Sequence, residues 1–137
     1  MKKNNNSAPI LDFEQCERIG YKTEDKVFKN IVSILNDRHK TTAGLSYFDQ
    51  LSIDLTQSDD ILQDAFPEAY AEIMAIMREE YRALDELEQH CLFLYLFTNE
   101  NDEDEIMDSM SWHLEDWMEE RADDFLSKAT DGKRYKS

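Results

Sequence analysis

Glycine and proline are scarce in this chain, whose 137 residues include 3 glycines and 2 prolines. Sheets joined by many tight turns need more of both, because glycine reaches positive φ and proline fixes the backbone at a turn. The scarcity therefore favours long helices. Cysteine is also scarce, and Cys16 and Cys91 form neither a disulfide framework nor a zinc-ligand pattern. We predict that both are reduced thiols in or near the core of a cytoplasmic protein.

Long apolar runs are absent as well. The longest unbroken run, CLFLYLF at residues 91–97, has seven residues, whereas a helix that crosses a bilayer needs about 20. The opening MKKNNNSAP has two lysines but no apolar stretch after them, so a secretory signal is not expected. The sequence therefore predicts a cytoplasmic location and no membrane partner.

Positively charged side chains are scarce over most of the chain. Residues 51–127 hold 3 basic and 23 acidic side chains, while residues 1–50 are nearly neutral and residues 128–137 are basic. The net charge of the whole chain is −16. Such a field repels nucleic acid and anionic lipid and attracts basic proteins, so we expect a basic protein partner and no direct nucleic-acid contact. Solubility alone is the simpler explanation, but self-repulsion at this density costs stability.

The first half of the chain predicts several helices. Ser7 and Pro9 suit the start of a short helix that Gly20 stops, and Thr23 can cap a second helix to about His39. Residues 45–56 fit both a helical stripe and the alternation of a strand. A helix is preferred there, because no second convincing strand exists to pair with it. A short helix capped by Ser58 is expected to follow.

The stretch from Pro67 to Phe97 predicts one long packed helix. Apolar side chains recur at heptad spacing, interrupted at Glu80, which gives ~45 Å of helix if it is unbroken. The last two turns are apolar all round, so they should be buried on every side, at the centre of the core. A strand at residues 92–97 is the alternative.

The predicted fold is all-α: an irregular helical bundle of five or six helices with two long C-terminal helices. A last helix is expected from about Asp102 to Ala129, ending before Asp131–Gly132. We predict a disordered tail over residues 1–8, a single acidic helical domain over 9–130 and a basic flexible tail over 131–137. A homodimer is also expected, because the heptad stretch offers more apolar surface than one small domain readily covers.

Trp112 lies on the wrong side of the last helix for a core residue. At 100° per residue the helix has one apolar stripe, made of Met107, Met110, Leu114, Trp117, Met118 and Phe125. Trp112 projects to nearly the opposite side, into a field of acids. Its neighbours there are Glu105, Asp108, Ser109, Glu115, Asp116 and Glu119.

Two explanations of Trp112 are open. In the first explanation, Trp112 packs on an N-terminal helix or on a second copy of the chain, since most large aromatics are buried on average. Alternatively, it is an exposed anchor ringed by acids, the arrangement of a binding hot spot that selects a basic partner. The predicted partner-binding residues are then Trp112 and its ring, namely Glu105, Asp108, Glu115, Asp116, Glu119 and Asp123.

No pattern predicts catalysis or a metal site. The acidic stretch 99–110 lacks the glycine and the final glutamate that an EF-hand loop requires. Glu86 and His90 do not have the Glu-x-x-His spacing of carboxylate-bridged metal bundles. Cys91 lies in an apolar run that disfavours its thiolate, and no glycine-rich phosphate loop exists. We therefore expect no enzyme, no metal and no cofactor.

The leading hypothesis is a non-enzymatic acidic binding protein that blocks a basic or nucleic-acid-processing partner, possible examples being a nuclease or a toxin, by charge mimicry. Inhibitors, immunity proteins, antitoxins and anti-defence proteins offer the analogy. The alternative is an acidic helical adaptor or chaperone that holds an apolar segment of its partner. Binding by charge weakens steeply with salt, whereas binding by apolar area tolerates it.

Overall fold

The computed structural model describes residues 12–42, 44–99 and 101–136, and for residues 129–136 the backbone alone. These residues form six α-helices, which confirms the predicted all-α fold. The helices are α1 (Phe13–Arg38), α2 (Tyr47–Thr56), α3 (Leu62–Ala65), α4 (Pro67–Arg82), α5 (Glu86–Leu96) and α6 (Glu103–Lys136). The tail predicted over residues 1–8, with the predicted helix start at Ser7 and Pro9, lies outside the described residues.

α1 is one continuous helix, so the stop predicted at Gly20 is wrong. The helix begins with a capping box, in which the Asp12 carboxylate accepts the Gln15 N–H at 2.7 Å and the Gln15 side chain accepts the Asp12 N–H at 3.0 Å. Gly20 serves a close approach between helices instead. A Cβ at Gly20 would lie 2.5 Å from the carbonyl oxygen of Cys91 and 2.5 Å from Cβ of Tyr95. The missing side chain lets α1 approach α5.

Two predicted helix caps are also wrong. Thr23 is buried in the middle of α1. The Ser58 hydroxyl accepts the backbone N–H of Asp60 at 3.1 Å, which forms a local turn ahead of α3 rather than its cap. The helix predicted for residues 45–56 is confirmed as α2, which Ser46 caps through the N–H of Asp49.

The single helix predicted over residues 67–97 divides into α4 and α5. Asp85 starts the second helix: its carboxylate accepts the Glu88 N–H at 2.8 Å, while the Glu88 carboxylate accepts the Asp85 N–H at 3.2 Å. This reciprocal capping box satisfies N–H groups that a new helix leaves open. The prediction of one helix is wrong because the heptad spacing continues across the break. The alternative strand at 92–97 is wrong as well, since α5 reaches Leu96.

α4 and α5 pack along the same side of α1. Polar contacts between these helices occur in the order Lys26–Glu88, Asn30–Glu80 and Arg38–Glu72. α1 therefore runs antiparallel to both helices, with α5 against its first half and α4 against its second half. α6 packs most extensively on α2. The core between the helices is filled by fully buried side chains, the largest of which are Phe48, Ile31, Leu35, Leu62, Ile73, Met77, Leu92, Ile106, Met107, Met110, Leu114 and Met118.

The apolar stripe of α6 enters this core over most of its predicted length. Met107, Met110, Leu114 and Met118 are buried, and full burial of such a side chain contributes about 1.5–3 kcal/mol. Phe125 is 45% exposed, so its assignment to the core is wrong. It lies about two turns of helix beyond Met118, the last buried residue of the stripe.

Complete burial of the end of α5 is also wrong. The half-buried side chains there are Phe93, Leu94 and Tyr95, whereas Cys91, Leu92 and Leu96 are buried. Phe97 ends the helix in the left-handed conformation, with φ at 57°, and is 77% exposed. The reason is that α1 covers α5 closely on one side, and α6 contacts it less extensively.

α6 continues to Lys136, past the end predicted at Asp131–Gly132. One glycine inside a helix costs about 1 kcal/mol relative to alanine, which need not terminate a long helix. Basic residues near a helix C-terminus are favourable, because they complement the helix dipole. The predicted basic tail over 131–137 thus falls largely on helical backbone. Across the described ranges, no helix is long and apolar enough to cross a membrane.

The close approach at Gly20 yields a stability prediction. Gly20→Ala should lower the free energy of unfolding by about 1–3 kcal/mol, because the added Cβ meets backbone atoms of α5 that cannot move aside locally. Chemical denaturation measures the change. Gly44→Ala is the matched control, since nothing lies within 4 Å of a Cβ at that position. Equal stability of the two variants would contradict the close approach of α1 to α5.

Candidate partner-binding surface

Trp112 lies on the solvent side of α6, with 55% of the residue exposed. The explanation that it packs on an N-terminal helix of its own chain is therefore wrong. The helix reaches the core through its other side, at Met110 and Leu114. Packing of Trp112 on a second copy of the chain stays untested.

Five exposed carboxylates share this side of α6 with Trp112. We call Trp112 and these residues the acidic face; its acids are Glu105, Asp108, Asp116, Glu119 and Asp123. They extend over about 27 Å of helix. Among the described residues, none of the five forms an ion pair with a basic side chain. The negative charge of the acidic face is therefore not neutralised within the described chain.

The basic side chains near α6 bind acids beside the acidic face. Arg82 donates to Glu103 at 3.0 and 2.8 Å, and Arg78 contacts Glu103 and donates to Asp104 at 2.9 Å. The hydrogen bonds that Glu103 accepts lower its pKa, and the largest contribution comes from Arg82, with a smaller one from Arg78. They join the first turn of α6 to the end of α4. At the other end, Lys128 lies 3.3 Å from Asp124.

Glu115, predicted as part of the ring around Trp112, is engaged elsewhere. It is half-buried, and its Oε1 accepts the backbone N–H of Leu62 at the start of α3. α3 has no side-chain cap of its own, so Glu115 satisfies an N–H that its helix leaves open. The structure thus gives Glu115 a role in holding α3, and we leave it out of the acidic face.

The field of the acids reaches α4. Burial raises the pKa of the Tyr70 hydroxyl, and the negative charges of Asp108 and Glu115 raise it further. Ionisation of the phenol would add another negative charge to this region. Burial is the main cause of this shift, and the two carboxylates add to it.

On its α1 side the acidic face borders a cleft, which we call the α1–α6 cleft. Its volume is about 260 Å³. The lining residues come from α1, α5 and α6 and are Tyr21, Glu24, Asp25, Phe28, Tyr95, His113, Asp116, Trp117 and Glu120. Asp116 belongs both to this cleft and to the acidic face, so the two surfaces are continuous.

A buried carboxyl lies at the α1–α6 cleft. The side chain of Glu24 is 7% exposed, and its Oε2 lies 2.7 Å from Nδ1 of His113. Burial raises the pKa of Glu24, although the charge and the hydrogen bond of His113 act in the opposite direction. Sequence analysis did not identify this pair. A signal existed, because Glu24 stands on the buried stripe of α1 with Val27, Phe28 and Ile31.

The cysteines offer little chemistry. Cys16 and Cys91 are free and buried, as predicted. Burial, and then the neighbouring Cys16, raises the pKa of Cys91 to about 11. A thiolate nucleophile at Cys91 is therefore disfavoured at neutral pH. Over the part of the chain that the structure describes, no three His, Cys, Asp or Glu side chains converge as metal ligands would.

Comparison with known proteins gives no match: no family model, no curated protein and no solved structure matches this chain. Its function is therefore inferred from the chemistry of the acidic face and its surroundings.

The two tryptophans of α6 should respond differently to truncation. Trp112→Ala should change the free energy of unfolding by less than about 1 kcal/mol, because the ring is exposed. Trp117→Ala should lower the free energy of unfolding by about 3 kcal/mol. The centroid of the Trp117 ring lies 5.6 Å from that of Phe28 and 5.8 Å from that of Phe48, so this ring is packed. Equilibrium denaturation of both variants checks the difference. A large loss in Trp112→Ala would show that this ring is part of the packed structure.

The raised pKa of Glu24 predicts a pH dependence. Ionisation of Glu24 is harder in the folded chain than in the unfolded chain, so its stabilising contribution is complete below the ordinary pKa of 4.5 and is lost as pH rises through the folded value. Between about pH 4 and about pH 6, the wild type should lose stability relative to Glu24→Gln.

Denaturation curves across that pH series measure the effect, with Glu119→Gln as the control. This substitution removes the same charge from an exposed position and should give little pH-dependent difference from the wild type. A pH-independent difference between the wild type and Glu24→Gln would contradict the raised pKa.

Proposed function

We propose that this protein is a non-enzymatic inhibitor that blocks a basic, nucleic-acid-processing partner by charge mimicry. The observation that carries the proposal is the acidic face, where an exposed Trp112 stands among five exposed carboxylates that have no cation partner within the described residues. The carboxylates would occupy the lysine and arginine side chains that otherwise hold backbone phosphates. Nucleic acid would then be excluded by charge and by volume.

The amount of charge is suited to this role. Duplex DNA carries about one negative charge per 1.7 Å of its axis, so five carboxylates over about 27 Å do not reproduce every phosphate. A nucleic-acid-binding protein, however, neutralises only about 6–10 phosphates. The acidic face, extended by Glu120 of the α1–α6 cleft, offers about six unpaired negative groups, at the lower end of this range.

Trp112 adds to the acidic face what charge alone does not supply. Carboxylates at the rim of an interface mainly accelerate association and discriminate against wrong partners. A large aromatic at the centre buries apolar area and slows dissociation, and truncating such a hot spot costs about 2 kcal/mol or more. The combination supports a specific inhibitor, of the kind formed by immunity proteins, antitoxins and anti-defence proteins, rather than a surface shaped for solubility alone.

A second candidate function is an acidic adaptor or chaperone, favoured by a different cleft. It has a volume of about 470 Å³ and lies between α2 and the α3–α4 corner. Its apolar lining side chains are Tyr47, Leu51, Ala65, Phe66, Pro67 and Ala69. An extended apolar segment of a partner would bind here through buried area, with the acidic body keeping the complex dissolved.

The homodimer and the cytoplasmic location stay predictions. Part of the reason for expecting a dimer is removed, because Cys91, Leu92 and Leu96 are already buried within one chain. Two acidic faces also repel each other.

The inhibitor proposal predicts how binding responds to substitution in the acidic face. Immobilised protein would capture its partner from a lysate at about 50 mM salt and release most of it at about 500 mM salt, because screening weakens charge pairing. With the identified partner purified, Trp112→Ala should weaken binding by about 30-fold. Phe125→Ala is the control, an exposed aromatic on the same helix but outside the acidic face. The inhibitor should also displace nucleic acid from the partner.

Charge reversal separates the acidic face from net charge. The double variant Glu119→Lys with Asp123→Lys should slow association by about 10-fold or more. The control is Glu79→Lys with Glu86→Lys, which makes the same change in net charge at exposed acids of α4 and α5, outside the acidic face. Equal effects of the two double variants would contradict a localised site. Binding that tolerates high salt and is lost in Phe66→Ala would favour the adaptor instead.

A further inference from the structure

The α1–α6 cleft has aromatic walls. Tyr21 is 59% exposed and meets Tyr95 edge to face, with ring centroids 6.1 Å apart and planes at 82°. The His113 ring also packs edge to face on Tyr95, with the ring centroids 5.9 Å apart. Phe28 and Trp117 also line the cleft, and their ring centroids lie 5.6 Å apart. Aromatic rings attract a cation placed over their faces, and arginine most often takes this position.

Carboxylates in the cleft outnumber the cations available to them. Asp25 contacts Lys29 at 2.9 Å, and buried Glu24 contacts His113. Asp116 and Glu120 are exposed and form no ion pair with the described residues. No lysine or arginine of the described chain lines the cleft. The lining therefore combines aromatic rings with negative charge and lacks a cation to complete it.

The protein itself holds a guanidinium on the α2 side of the same tryptophan. Arg121 lies 5.1 Å from the centroid of the Trp117 ring and 5.7 Å from that of Phe48, and it donates to Asp49 at 2.9 Å. Rings and a carboxylate together fix this arginine. On the α1 side, the cleft that Trp117 lines has a comparable set of groups, namely Phe28, Asp116 and Glu120, without an arginine.

We propose that the α1–α6 cleft binds the guanidinium group of one arginine side chain of the basic partner. The planar group would stack on the aromatic walls while Asp116 and Glu120 accept its N–H groups, a combination that the compact, strongly hydrated ammonium of lysine satisfies less well. Asp116 belongs to both the cleft and the acidic face. When one residue of the partner contacts Trp112, an arginine next to that residue would therefore reach the cleft. The identity of the partner rests on the proposed function, but the cleft can be tested without any partner.

Short peptides test the cleft on the intact chain. Tetra-arginine, tetra-lysine and tetra-citrulline would be titrated at low salt and followed by amide chemical shifts of Tyr21, Tyr95 and His113. Tetra-arginine should bind at least about threefold more tightly than tetra-lysine, and tetra-citrulline should not bind, because it lacks the charge. Tyr21→Ala should weaken tetra-arginine binding and Tyr21→Phe should preserve it, since the ring supplies the contact.

A matched pair of double variants separates the cleft from diffuse charge. Asp116→Asn with Glu120→Gln should weaken tetra-arginine by about 10-fold, whereas Glu119→Gln with Asp123→Asn removes the same charge outside the cleft and should weaken it by less than about threefold. Equal losses, equal affinity for arginine and lysine peptides, or no saturable shift of the cleft residues would each overturn the proposal. The outcome is independent of the Trp112→Ala result with the partner, so failure of the cleft is distinguishable from failure of the inhibitor proposal.

Discussion

The close approach of α1 to α5 at Gly20 is the contact on which the arrangement of the bundle depends. Because Gly20 has no side chain, the backbone of α1 can lie against the carbonyl oxygen of Cys91. α1 is 26 residues long, about 39 Å, and can therefore pack along both α5 and α4. The break at Asp85 lets these two helices follow α1 as separate segments. One long helix thus covers apolar faces of both α4 and α5.

Several basic side chains join one helix to another. Lys26 joins α1 to α5, Arg38 joins α1 to α4, and Arg121 joins α6 to α2. Each such exposed pair contributes about 0–1 kcal/mol, but together they place cations at helix junctions. None of the cations in the described chain pairs with the carboxylates of the acidic face. The carboxylates of the acidic face therefore keep their negative charge uncompensated within the described residues.

Sequence periodicity predicted what depends on the position of a residue along one helix. It identified the all-α fold, the buried stripe at Met107, Met110 and Leu114, and the outward direction of Trp112. It could not reveal contacts between helices, such as the carboxylate of Glu115 on α3 or the pairing of Glu24 with His113. Those contacts depend on how helices distant in sequence pack together.

Some errors came from local signals that compete. The capping box of Asp85 and Glu88 is visible in the sequence, but the heptad repeat continues through it. Gly20 fits a helix stop as well as a close helix contact, and only the presence of α5 decides between them. Phe125 follows the apolar stripe beyond the part that the core covers. At Asp85 and Phe125 the periodic pattern concealed a non-periodic constraint, whereas at Gly20 a local stop signal was given too much weight.

In the unbound protein, the carboxylates of the acidic face repel one another. These carboxylates include three neighbouring pairs at helical spacing, Glu105 with Asp108, Asp116 with Glu119, and Glu119 with Asp123. Like charges at such spacing destabilise a helix by about 0.2–0.5 kcal/mol per pair. Folding brings these charges together against their repulsion, and a cationic surface laid over them relieves it. In the proposed inhibitor, part of the free energy of association would thus be set when the chain folds, before a partner binds.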